Sequence, residues 1–417
     1  MNSVAQPAAA TSALRQDGHR WKILGIGVLA NASFSAAFAG IPVTAIFMRA
    51  DYRLDNTQLG LVLGSLGLGV AVSELPWGVL TDRWGDRKVL LCGLISTALA
   101  LATLAMFAAP GADGIAHMLW LALGLLTVGL LGGSVNGSSG RAVMGWFREG
   151  ERGLAMSIRQ TAVPVGGGIG AMVLPTLAAT YGFAAVYGLL AVFCALSAVM
   201  AWRWLHEPPA AAVSGVAAPV QEHSALRDIQ VWRVAMAIGI LCFPQVSVLT
   251  FATIFLHDVG HAGLALISAT MAAIQIGAAV MRVWSGRWTD RHGNRRAYLR
   301  TCSALSVVLF IVLGVSAALA PPVWPQWVLN VVVLMLVAGG ICASAWHGVA
   351  YTELATLAGA RQVGTALGLG NTCVFLVFFL AAQAVPLLLA WQSWPAVWLA
   401  GAVGALIAWP IFLKPRR

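Results

Sequence analysis

The chain has 417 residues, of which 59% are hydrophobic and only 10% are charged. Soluble domains carry about 25% charged residues, so this composition excludes a soluble globular protein. A formal net charge of +10 would suit a nucleic-acid-binding protein. The basic residues are instead distributed over loops along the whole chain, which excludes that partner.

Twelve long apolar runs follow one another along the chain, separated by short polar breaks. A helix needs about 20 apolar residues to cross a bilayer, whereas barrel strands are about 10 residues of alternating polarity. The sequence therefore predicts an all-α polytopic membrane protein with twelve transmembrane helices. The predicted spans are 21–48, 57–80, 89–109, 117–146, 153–178, 183–205, 232–256, 263–287, 298–319, 327–351, 362–389 and 394–413.

Basic residues are concentrated in alternate loops and near both termini, while Arg49 and Arg53 are the two on the opposite side. This distribution follows the positive-inside rule and places both termini in the cytoplasm. We therefore expect a multi-pass protein of the plasma membrane, the inner membrane in a bacterium, and no nucleic-acid partner. The lipid bilayer is its expected surrounding, and we expect a monomer.

One break, at residues 206–231, is longer than the rest and rich in Pro, Ala, Ser and Val, which is typical of a linker. It divides the spans into six and six. The predicted organisation is a cytoplasmic tail (1–20), a six-helix bundle (21–205), a cytoplasmic linker (206–231), a second six-helix bundle (232–413) and a short tail (414–417).

The two halves share a sequence motif. "GVLTDRWGDRK" follows the second span, and "GRWTDRHGNRR" occurs 208 residues later, after the second span of the second half. Such a repeat indicates a duplicated architecture. The matched residues of the first copy are Gly78, Asp82, Arg83, Gly85, Arg87 and Lys88. Those of the second copy are Gly286, Asp290, Arg291, Gly293, Arg295 and Arg296.

With this motif, the chain resembles the major facilitator superfamily, whose signature between spans 2 and 3 is Gly-x-x-x-Asp-Arg-x-Gly-Arg-Arg/Lys. Asp86 and Asn294 depart from the pattern, because each replaces the first basic residue after the second glycine. The resemblance implies two pseudo-symmetric six-helix bundles and a secondary transporter that works by alternating access. A membrane sensor or scaffold that has kept the fold is the alternative from a different class.

The motif itself suggests a gate. Its two glycines permit a tight turn, and its basic residues hold the loop in the cytoplasm. Asp82 can accept hydrogen bonds from a helix N-terminus, and the resemblance implies that this is the start of span 11, across the interface. Loop arginines can pair with Glu149, Glu151 or Glu353.

Glu74 and Arg282 occupy the equivalent position in the two halves, four residues before the first glycine of each motif. Two interpretations remain open. Both side chains can extend to the membrane interface from the last turn of the helix, or they can form a gating charge pair, directly or through neighbours.

Within the spans the ionisable residues are few, and each is a candidate for the substrate site. Besides Glu74 and Arg282 they are Arg141, Arg159 and His347, and we expect no Asp or Glu at mid-membrane depth. Arginine without a buried acid favours an anionic cargo, because guanidinium pairs bidentately with carboxylate. Arg159 is the leading contact. Its alternative role is to extend to the membrane interface or to pair with a cytoplasmic acid such as Glu151.

The remaining candidates are uncharged. "GLAMSIRQT" and "GTALGLGNT" align at an offset of 211 residues, which makes Gln160 and Asn371 pseudo-symmetric. Asn31, Asn136 and Gln245 are further polar residues of spans that the resemblance places around the cavity. "PVGGGIG" (164–170) and "GLLGG" (129–133) predict close helix packing.

We expect a symporter for a small organic anion such as a carboxylate, coupled to a proton or a sodium ion. His347 can carry a proton, although the arginine that the family often uses for coupling in span 4 is absent. Efflux of hydrophobic or amphipathic compounds is the alternative within the transporter class. The sequence shows no Walker motif, metal-ligand cluster or catalytic constellation, so we expect no cofactor and no enzymatic activity.

Overall fold

The computed structural model describes residues 6–111, 114–206, 224–319 and 324–413. These residues form α-helices joined by short turns, and no strand is present among them. The α-helices are α1 (Gln6–Val43), α2 (Ala45–Asp51), α3 (Asn56–Trp84), α4 (Asp86–Thr103), α5 (Met118–Gly132), α6 (Ser134–Trp146), α7 (Arg152–Trp204), α8 (Ile229–Asp258), α9 (Leu264–His292), α10 (Arg295–Ala318), α11 (Gln326–Ala345), α12 (His347–Ala358) and α13 (Val363–Ile411).

Within the described residues, eleven helices are long and apolar enough to cross a membrane. They account for the twelve predicted spans. Helices α5 and α6 together form one span, as do α11 and α12; α7 contains spans 5 and 6, joined at Gly182 with a φ of 72°, and α13 contains spans 11 and 12. The helix α1 begins at Gln6, inside the predicted tail 1–20. Residues 1–5, most of the linker and residues 414–417 lie outside the described residues, so the predicted domain boundaries stay predictions.

The helices pack as two bundles. In the first half α1 packs along α7 and α3 along α5, and in the second half α13 packs against both α8 and α10. Small residues allow the closest approaches, as predicted for 129–133 and 164–170. Gly166 lies against the backbone of Ala32, and Gly129 lies against that of Leu66. Lipid tails are as apolar as leucine, so close packing of this kind contributes much of the stability of helix pairs in a membrane.

The motif glycines have two different structural roles. Gly85 and Gly293 adopt positive φ (89° and 62°) and turn the chain between α3 and α4 and between α9 and α10, as predicted. We name the end of the molecule that carries these two turns the motif face. The prediction that Gly78 also serves the turn is wrong, because Gly78 lies within α3 and faces the backbone of Gly364. Gly286 faces Gly153 in the same way.

Gly78→Ala is expected to destabilise the protein by about 1–3 kcal/mol, since the new methyl group would meet the α13 backbone. Gly64→Ala on the same helix is the control, because nothing lies within 4 Å of its added methyl group. Alanine is ordinarily the better helix former of the two. The midpoint of thermal unfolding should therefore fall for Gly78→Ala alone, and an equal effect of both variants would contradict this packing role.

Candidate functional site

Asp82 joins the two halves at the motif face. Its carboxylate accepts hydrogen bonds from the backbone N–H groups of Gly364, at 2.8 Å, and Thr365, at 2.6 Å. These groups belong to the first turn of α13, where N–H groups lack helical partners and the helix dipole favours a negative charge. The contact expected for Asp82 is thus confirmed, and we name it the first latch. Its gating role stays a prediction.

The second motif copy makes the equivalent contact in the opposite direction. Asp290 on α9 accepts hydrogen bonds from the N–H groups of Gly153, at 3.0 Å, and Leu154, at 2.8 Å, at the start of α7. This is the second latch. Each half therefore caps a helix of the other half, which is the arrangement that a duplicated fold with two motif copies produces.

Arg141 belongs to the first latch. Its Nε lies 3.3 Å from Asp82 Oδ1, and its Nη1 lies 3.4 Å from Oδ1 of the buried Asp86. Arg141 thus lies at the first latch, and its expected role in the substrate site stays a prediction. Asp86, the departure from the family pattern, supplies the second carboxylate for this arginine.

The other basic residues of the motif hold the loops in place. Arg87 donates to the carbonyl of Trp202, and Arg295 lies 3.4 Å from Asp290. Arg296 pairs with Glu353 at 2.6 Å, as one of the expected loop pairs, whereas Glu151 pairs with Arg20 and not with a motif arginine. The remaining three are exposed, and they are Arg83, Lys88 and Arg291.

Glu74 and Arg282 lie deeper than expected. Each precedes the end of its helix by ten residues, which is about 15 Å along the axis, and they are 0% and 4% exposed. Neither side chain is exposed, so the interpretation that both extend to the membrane interface does not hold. The full burial of Glu74 was not expected, and the expectation that no acid lies at mid-membrane depth stays a prediction.

These two residues do not pair directly; each contacts the opposite half. Glu74 accepts from Asn136 Nδ2 at 2.5 Å and from Asn371 Nδ2, on α13, at 3.2 Å. Arg282 donates to the carbonyl of Ser344 at 2.7 Å and to that of Gln160, on α7, at 3.0 Å. Asn371 contacts Glu74 through its side-chain amide, whereas Gln160 contacts Arg282 through its backbone carbonyl, so the pseudo-symmetry of the two side chains stays a prediction.

Arg159 is buried between the first-half helices. Its Nε and Nη2 donate to Ser139 Oγ at 3.1 and 2.9 Å, and its Nη2 donates to the carbonyl of Asn136 at 2.5 Å. With the Asn31 amide oriented to satisfy both of its ends, its oxygen accepts from Arg159 and its nitrogen donates to Asn136. Arg159 does not pair with Glu151, so that expected alternative is excluded.

The second-half residues complete this polar region. Gln245 Nε2 donates to Ser344 Oγ at 3.2 Å, and His347 Nδ1 lies 3.1 Å from the Ser344 carbonyl, with its ring stacked on Trp346. Tyr351 donates to Asn371 Oδ1 at 2.5 Å. We name the whole set the central network. Its members are Asn31, Glu74, Asn136, Ser139, Arg159, Gln160, Gln245, Arg282, Ser344, His347, Tyr351 and Asn371.

Three of these residues, Ser139, Ser344 and Tyr351, were missed from the sequence. Serine occurs at many other positions of these helices, and no spacing distinguishes Ser139 and Ser344 from those. One signal was available, since Tyr351 lies four residues after His347 and therefore on the same helix face.

The network holds two guanidinium groups and one carboxylate. The described hydrogen bonds occupy Nε and Nη2 of Arg159 and Nε and Nη1 of Arg282. Nη1 of Arg159 and Nη2 of Arg282 have no acceptor among the described residues. Each half therefore keeps one arginine donor group without an acceptor among the described residues.

Comparison with known proteins decides the family. The model of the Major Facilitator Superfamily matches residues 24–382. The chain belongs to the major facilitator superfamily. An uncharacterized MFS-type transporter of Mycobacterium tuberculosis is 30% identical over 405 residues, which cover 94% of this chain and 85% of that protein.

Two further proteins are similar to this chain over different extents. A probable galactarate/D-glucarate transporter of Bacillus subtilis is 26% identical over 204 residues, covering 48% of this chain and 44% of that protein. The structure of a proton:xylose symporter, XylE, superimposes with a TM-score of 0.78 at 15% identity, covering 95% of each chain. The second likeness confirms the fold of two six-helix bundles.

Proposed function

We propose that this superfamily member is a secondary active transporter of a small organic anion, a carboxylate, which it moves by alternating access with a coupling ion. The observation that carries the proposal is the pair Arg159 and Arg282, one on each half, each with a guanidinium NH₂ group left without an acceptor among the described residues. A carboxylate bound to both would join the halves and favour their closure.

The balance of charge supports an anion. Glu74 is the single carboxylate in the network, and amide groups of Asn136 and Asn371 already occupy its two oxygens. A cationic cargo would have to displace these amides next to two arginines. The name of the relative that is a probable galactarate/D-glucarate transporter points to the same substrate class.

A second candidate function follows from Glu74. Exporters of cationic drugs use a buried carboxylate, and Glu74 is fully buried. Efflux of lipophilic cations is therefore the alternative, although two arginines in the same network oppose it.

A ligand-stabilisation screen tests the two candidates. The midpoint of thermal unfolding is measured for the purified protein with D-glucarate, D-glucuronate, citrate or the lipophilic cation tetraphenylphosphonium. We expect one or more carboxylates to raise the midpoint in the wild type and in Arg287→Gln, an exposed arginine of α9, but not in Arg159→Gln. A shift with the cation and none with any carboxylate would overturn the anion proposal.

Glu74 is also the group best placed to carry a coupling proton, because it links the two halves through Asn371. A proton on Glu74 would occupy an oxygen that now accepts from an amide, which weakens that link. For Glu74→Gln we expect anion uptake driven by a pH gradient to fall at least tenfold, while anion exchange without a gradient continues.

Proteoliposomes with an imposed pH gradient provide the measurement for this variant, and His347→Gln is the control in the second half. Gradient-driven uptake at the wild-type rate in Glu74→Gln would exclude Glu74 as the coupling site. Loss in His347→Gln alone would assign that role to the histidine.

A further inference from the structure

A groove on the outer surface of the second half lies apart from the central network. It has a volume of about 430 Å³ and runs between one face of α10, from Ala297 to Val308, and Trp409 near the end of α13. The face is regular, because residues 297, 300/301, 304/305 and 308 follow the helical repeat. The groove therefore runs along the helix axis, in the direction of the membrane normal.

One positive charge lies at the end of the groove nearer the motif face. The guanidinium carbon of Arg300 is 4.7 Å from the centre of the Trp409 ring, and its Nε–H is buried without an acceptor among the described residues. Arg296, one turn earlier, differs, because it pairs with Glu353 at 2.6 Å. Arg300 therefore presents a cation with unmet hydrogen-bonding capacity, held in place by an aromatic ring.

The rest of the groove is apolar and open to the membrane. Leu305 and Val308 are 51% and 57% exposed. Arg300 lies five residues into α10, about 7.5 Å from the start of the helix. Val308 lies about 20 Å from the same start. Tryptophan is the residue typical of the membrane interface. The groove thus extends from the depth of lipid headgroups into the depth of the acyl chains.

We propose that this groove binds an anionic phospholipid, with the headgroup phosphate on Arg300 and an acyl chain along Leu305 and Val308. Guanidinium binds phosphate through charge-assisted hydrogen bonds, and the exposed apolar face beside it gives an acyl chain a surface to pack on. A free phosphate ion would use the cation alone and leave the apolar part of the groove empty. The proposal does not depend on which solute the protein transports.

Native mass spectrometry of the full-length protein, titrated in detergent with phosphatidylglycerol, measures the binding directly. We expect the apparent dissociation constant to rise roughly tenfold in Arg300→Gln, which removes one charge-assisted contact. Arg203→Gln is the matched control, because Arg203 is exposed at the end of α7 beside two tryptophans and outside the groove. It should bind the lipid as the wild type does.

A second variant and two comparison ligands test the same site independently. Ala304→Phe fills the groove and leaves Arg300 unchanged, so it should also weaken lipid binding and tests the site even if Arg300→Gln fails to fold. Inorganic phosphate and phosphatidylcholine are the comparison ligands, and neither should match phosphatidylglycerol. Wild-type binding by both groove variants, or equal binding of phosphate alone, would overturn the proposal.

Discussion

Arg159→Gln and Arg282→Gln are each expected to reduce anion uptake roughly tenfold to hundredfold. A hydrogen bond to a charged group contributes about 1.5–3 kcal/mol, and each variant removes the donor that one half offers to the cargo. The two variants should act on the same step, because the anion needs both guanidinium groups to join the halves.

Initial rates of D-glucarate or citrate uptake into proteoliposomes, whichever gave a shift in the stabilisation screen, provide the measurement. Arg287→Gln is the matched control, since it removes a charge from the same helix as Arg282 but from an exposed position. Lysine at either position should restore part of the rate, because it keeps the charge without the planar fork. Uptake at the wild-type rate in either glutamine variant would show that the corresponding arginine is structural.

The latches could be predicted from sequence because their determinants are local and duplicated. An Asp at a fixed distance from a glycine turn, present in both copies, fixes where each carboxylate lies relative to its own helix end. The partner of Asp82, the N-terminus of α13, followed from the family resemblance. The partner of Asp290, the N-terminus of α7, was not predicted and is seen in the structure.

The depth of Glu74 could not be predicted, because it depends on where the helix ends. The apolar run suggested that the second span ends near residue 80, whereas α3 continues through Asp82 to Trp84. The charged residues of the motif continue the helix past the end of the apolar run that was used to predict the span. Glu74 is consequently one turn further from its helix end than the sequence indicated, and the same holds for Arg282 in α9.

The separation of Arg141 from Arg159 illustrates a second limit. Both lie in predicted spans near the motif face, and sequence gives approximate depth but not the direction in which a helix face points. Packing decides that direction, and it turns Arg141 on α6 towards Asp82 and Asp86 while Arg159 on α7 turns towards Ser139. The two arginines therefore have different partners despite similar sequence surroundings.

Asp82→Asn is expected to open the motif face. The described hydrogen bonds between the halves lie within segments 74–82, 152–160, 282–290 and 364–371 and at Thr352. The two latches are therefore a large share of the hydrogen bonds that join the halves. Asparagine keeps one acceptor oxygen but loses the charge that binds two N–H groups and Arg141. A loss of about 1.5–3 kcal/mol shifts the open-to-closed ratio roughly tenfold to hundredfold.

Spin labels at residues 148 and 361, both exposed and on opposite halves of the motif face, report this shift as longer distances in electron–electron double resonance. Asp55→Asn is the matched control. Asp55 also caps a helix, through Gln58, but within one half, so its loss weakens α3 without releasing the halves. Unchanged distances in Asp82→Asn would mean that the motif anchors its loop and does not hold the halves together. Lengthening in Asp82→Asn and in Asp290→Asn, with none in Asp55→Asn, would show that both latches keep this face closed.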